Sequence, residues 1–167
     1  MITAILTRGY ALLGRMARLE GNWAGDMVRP GGSWVGRLQM ACRWDAAHAG
    51  VQVRLVLVSR LGRLLDAEEG AINYDMATDS LVAVLQRPIG GLEMAHAYVN
   101  TTEELVFVHD NELRLRRVTW PASGSAPPPG RETCMYRLES VIDGQMRLQM
   151  QATLRQVAPP ARSGRAS

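Results

Sequence analysis

The stretch Gln145-Met146-Arg147-Leu148-Gln149-Met150-Gln151-Ala152-Thr153-Leu154-Arg155 decides the fold class. Its even-numbered positions are apolar and its odd-numbered positions are polar. Such alternation marks a strand with one face buried and one face in water. The same period of two runs through most of the chain. In residues 33–45, Trp34, Leu38, Met40, Cys42 and Trp44 share one face, with Arg37, Gln39 and Arg43 on the other. Val51, Val53, Leu55 and Leu57 alternate with Gln52 and Arg54. Residues 81–86, 93–99, 105–109, 113–118 and 133–140 read as further strands, and 63–72 as a strand of mixed face. Turn formers separate these runs, among them Pro30-Gly31-Gly32, Pro88 to Gly91 and Asp143-Gly144. The spacing predicts an all-β protein, a closed antiparallel meander barrel of about 8–10 strands.

Upstream the period changes. Ile2, Leu6, Tyr10, Leu13 and Ala17 recur three or four apart, which predicts one N-terminal α-helix over about 2–18. Gly9 and Gly14 each weaken that helix by roughly 1 kcal/mol, so it needs a surface to lie on. Residues 121–130, with four prolines and two glycines, read as one long loop. Residues 158–167 are polar and aperiodic and read as a disordered tail. The chain is therefore read as a single domain over 1–157, with its strands in about 22–157.

Composition removes several function classes. All 19 basic residues are arginine, and the formal charge is +3. Without lysine no Schiff base can form, and the phosphate-loop signature fails. The arginines stand singly between apolar residues, so no nucleic-acid footprint is expected. Cys42 and Cys134 are too few and too far apart for a disulfide scaffold or a metal site, and read as buried thiols. There is no run of 18 apolar residues, so no membrane partner is expected. The N-terminus lacks a basic region ahead of its apolar stretch. A reducing cytoplasm is the expected compartment.

Leu19-Glu20-Gly21-Asn22-Trp23-Ala24-Gly25, placed after a helix and before only strands, resembles the opening of the calycin superfamily. The nearest resemblance is to uncharacterised bacterial lipocalin-like domains, which also carry a mid-chain Tyr-Asp, here Tyr74-Asp75. They have an Arg-x-x-Trp-like strand, here Arg117 to Trp120. They close on a strand ending in a basic residue, here Arg155. The resemblance spans about residues 10–157. It implies a barrel floor closed by Trp23, with Arg155 packed across the ring in a cation–π contact worth about 0.5–2 kcal/mol. Nitrobindin-like members of the superfamily hold haem through a histidine on the closing strand. This chain has no histidine after His109, so no cofactor is expected, and no metal.

No standard catalytic signature is present. The interior is expected to be rich in methionine (Met40, Met94, Met135, Met146 and Met150), which suits an adaptable apolar pocket. The expected ligand-binding residues are Trp34, Leu38, Met40, Cys42, Leu55, Arg87, Met94 and Met150. Arg87 follows Leu81, Ala83 and Leu85 in phase. Fatty-acid-binding members of the superfamily hold a ligand carboxylate with an arginine, and the resemblance implies that role for Arg87. The candidate catalytic groups are Glu69, His96 and Tyr98, which alternation can place beside inward apolar residues. The reading that follows is a barrel that binds a small, largely apolar molecule. The alternative is a barrel-type cyclase or isomerase acting on a hydrophobic intermediate. A third reading is a filled, dimerising module, in the simplest case a homodimer.

Overall fold

A computed structural model of the chain describes residues 17–47, 50–78, 80–88, 91–99, 105–109, 114–119 and 133–158. The helix expected over 2–18 falls almost wholly outside the described residues, as do His48, the loop 121–130 and all but the first residue of the expected tail. Ten strands are present among the described residues: β1 (Gly21–Val28), β2 (Trp34–Asp45), β3 (Gly50–Val58), β4 (Leu64–Asp75), β5 (Ser80–Arg87), β6 (Gly91–Val99), β7 (Leu105–His109), β8 (Arg114–Thr119), β9 (Thr133–Ile142) and β10 (Gln145–Val157). Alternation is clear in β2, β3 and β10 and absent from β1 and β7, where successive residues are buried. Neighbours pair antiparallel in the order β1-β10-β9-β8-β7-β6-β5-β4-β3-β2, and β1 also pairs with β2, so the two ends of the sheet meet around a barrel. No described helix is long and apolar enough to cross a membrane.

Turn chemistry sets the tight connections. Asp143 and Gly144 take φ values of 53° and 74° between β9 and β10, the left-handed pair that a two-residue hairpin demands. Elsewhere the backbones approach too closely for a side chain. A Cβ on Gly70 of β4 would lie 1.9 Å from the Val84 carbonyl oxygen of β5.

The core is the inner face of the barrel. Trp23, Met27, Leu38, Met40, Cys42, Val51, Val53, Leu81, Phe107 and Leu154 are among its buried members. Trp23 is 1% exposed, and its Nε1–H donates to the Leu19 carbonyl oxygen at 2.9 Å. That bond ties the incoming chain across one end of the barrel. Arg155 does not pack on Trp23. Leu154 is fully buried, so Arg155 points to the opposite face and is exposed. Leu19, just ahead of β1, satisfies the Trp23 indole through its backbone carbonyl instead.

Trp23→Ala is expected to lower stability by about 3–5 kcal/mol in urea unfolding, and Trp23→Phe by about 1 kcal/mol for the lost hydrogen bond. Arg155→Ala should stay within about 0.5 kcal/mol, and its effect should add to that of Trp23→Ala. Strong coupling between the two would place them in contact.

Candidate functional site

Inside this apolar wall lies a polar layer. Five consecutive strands each turn one polar side chain inward: Glu68 from β4, Arg87 from β5, Glu93 from β6, His109 from β7 and Arg116 from β8. The register explains why they meet. Leu85 pairs with Glu93, Ala95 with His109, and Phe107 with Arg116, so each polar residue continues a run of inward positions. Glu68, His109 and Arg116 are buried, while the Arg87 and Glu93 side chains keep about a quarter of their surface in water.

Glu68 is the hub. Its Oε1 accepts from Arg87 Nη2 and Nε at 2.7 and 2.9 Å. Its Oε2 lies 2.5 Å from Arg116 Nη1. Arg116 Nε–H donates to His109 Nε2 at 3.2 Å, which puts the imidazole proton on Nδ1. That nitrogen faces Glu93 Oε2 at 3.3 Å, and Arg116 Nη2 lies 3.7 Å from the same oxygen. Burial pushes the Glu68 carboxyl up, but the hydrogen bonds and charges of Arg116 and Arg87 outweigh it and hold it at about 2, against an ordinary 4.5. Burial would lower Arg116, yet the Tyr136 and Glu68 partners raise it further, so it stays charged.

The layer divides the interior into two small chambers. One, of about 40 Å³, lies between it and the Leu19 end, walled by Met40, Cys42, Val53, Ile72, Ala83 and Phe107. The other, of about 50 Å³, lies on the hairpin side, walled by Met27, Leu38, Leu57, Leu138 and Met150 with Asp66 and Glu68. Leu55, Arg116 and Tyr136 border both. The Cys42 thiol in the first wall is pushed up to about 12 by burial, so it remains a neutral, apolar surface.

Several expected site residues stand elsewhere. Leu38, Met40, Cys42 and Leu55 are inward and buried, and Met150 packs half-buried against the core. Trp34 sits at the start of β2, where the Arg60 guanidinium lies 4.9 Å from its ring centroid; it lines neither chamber. Arg87 is inward as expected, but Glu68 holds it, and it borders neither chamber. Met94 is 40% exposed and Met146 42%, and Met135 is half-buried on the outer side, its sulfur accepting from Arg137 Nε. Glu69 and His96 are exposed on the outer face, so the candidate acid–base groups do not converge inside. Tyr98 pairs with Val106 through its backbone, and its side chain lies outside the described ones. The inward acid of β4 is Glu68, one position from the expected Glu69. Glu93, His109, Arg116 and Tyr136 were missed as site residues. Counting in twos from firm core positions (Ile72, Leu85, Ala95, Phe107, Val118) reaches each charged member of the layer.

Among the described residues, no group of His, Cys, Asp and Glu could hold a metal ion. Comparison with known families finds no matching family model, and comparison with curated proteins finds no match.

The folded Glu68 pKa is depressed, so its stabilising contribution is complete above about pH 4.5 and is lost as pH falls toward 2. Glu68→Gln is expected to cost about 3–5 kcal/mol near pH 7, because Arg116 then loses its charged partner in the interior. Between pH 4.5 and 2 the gap between variant and wild type should shrink. Urea titrations across that range read both effects, and a gap that stays constant would remove Glu68 as the acid-sensitive group.

Proposed function

We propose that the protein is a calycin-like barrel that binds a small, largely apolar molecule in the chamber below its polar layer. The observation that carries this reading is the chamber itself. It is enclosed by apolar side chains on most sides and meets polar groups only at the end formed by His109, Arg116 and Tyr136. Support for the calycin part comes from the strand order, and from Gly21-Asn22-Trp23 opening β1 with its indole buried at the barrel end.

The volume sets the size of the ligand. Small-molecule sites commonly span about 300–1,000 Å³. A space of about 40 Å³ accepts an atom or group of a few heavy atoms. Larger guests require Met40 to swing aside, which a flexible thioether can do. The cyclase or isomerase reading has no comparable support. Glu69 and His96 face away from the chamber, and both nitrogens of His109 are directed at Arg116 and Glu93.

Xenon and a graded series of small apolar molecules should raise the melting temperature by mass action, with the effect falling as guests exceed the chamber. Ala83→Leu places bulk in the chamber wall at a cost of about 1–3 kcal/mol, and should abolish the shift. A wild-type protein indifferent to xenon and to the whole series would favour the filled, dimerising module.

A further inference from the structure

The polar layer also bears on the charge of the ligand, given the binding reading above. Its two carboxylates, Glu68 and Glu93, face two guanidiniums, Arg87 and Arg116. His109 is neutral in this arrangement, because its Nε2 accepts from Arg116 Nε–H. The layer therefore sums to zero. Among the described residues of the layer, the one guanidinium bordering the chamber is that of Arg116, and it is already paired with the protein's own groups. Nη1 is on Glu68, Nε donates to His109, and Nη2 lies at ion-pair distance, 3.7 Å, from Glu93 Oε2.

We infer that the chamber selects an uncharged ligand and excludes carboxylates, because Glu68, Glu93, Arg87 and Arg116 form a charge-balanced layer that, among the described residues, leaves no cation in excess for an anionic guest. A ligand carboxylate could reach Arg116 only by displacing Glu68 or His109. It would then stand beside Glu68 and Glu93 as a third buried carboxylate against two guanidiniums. Stripping water from such an anion is strongly unfavourable, and no new partner offsets it. A neutral guest of the same shape meets no such penalty. The arginines thus serve the protein's own carboxylates and not a ligand's.

Acetone and acetate make the test, since they share shape and size and differ in charge. Methyl-resolved NMR at Ile72, Ala83 and Leu85 reads chamber occupancy at neutral pH. Acetone should shift these methyls in a saturable way, and acetate should bind roughly 100-fold more weakly or not at all. Glu93→Gln removes one negative charge from a partly exposed position, giving the layer one net positive charge. It should gain acetate binding by roughly tenfold or more while keeping acetone. Glu68→Gln, if it folds, should do the same more strongly. Acetate binding the wild type as well as acetone overturns charge exclusion and leaves the binding reading standing. Failure of Glu93→Gln to gain acetate overturns charge balance as its cause. If neither probe reaches the chamber methyls, the binding reading falls and this inference falls with it.

Discussion

The interaction on which the rest of the interior depends is the pair between Glu68 and Arg116, closed at 2.5 Å with both side chains almost fully buried. Two charges withdrawn from water are tolerable only when their remaining donors and acceptors also find partners. That demand recruits the neighbours. Arg87 takes the other oxygen of Glu68, His109 takes the Nε–H of Arg116, and Glu93 stands against His109 and both arginines. Each comes from its own strand. The network is thus correct only when five strands hold the right register together, since a slip of one residue turns every side chain to the other face.

The absence of lysine takes on meaning here. A guanidinium presents its donors as a rigid fork, and Arg116 uses two sides of that fork on Glu68 and His109 at once. An ammonium is a compact point charge on a flexible stem and could not hold both partners in fixed directions. The same fork explains why Arg116 can occupy the barrel centre and still leave the chamber below it lined by apolar carbon and sulfur.

Much of the fold was legible because alternation is a local signal. Nine of the ten strands, β2 to β10, lie on runs that read as strands, and the hairpin at Asp143-Gly144 follows from its residue pair. The inner face was less legible where local cues conflict with it. In β4 the leading Leu64 and Leu65 are apolar yet exposed, and counting from Leu65 lands on Glu69. The true phase is set further on by Ile72 and Gly70, and the β3–β4 ladder shifts register between Leu57 and Val58. In β6 the larger apolar residue, Met94, faces out, and the small Ala95 faces in and borders the first chamber. The charged layer was illegible as a unit. Its members are spread from 68 to 116, and only the folded ladder shows that they converge.

Among the described residues, the charged members of the layer come from β4 to β8, and β9, β10, β1, β2 and β3 line the interior with uncharged side chains. The two halves of the wall should therefore follow different rules of sequence change. An apolar half can exchange one methionine or leucine for another of similar volume, step by step, at modest cost at each step. Positions 68, 87, 93, 109 and 116 admit no such drift. A single replacement at the buried positions 68, 109 or 116 leaves a buried charge or donor unmatched, at the partly exposed 87 or 93 it shifts the charge of the layer, and only a concerted change would restore balance. The barrel thus combines a side that can be tuned gradually with a side that can change only as a set.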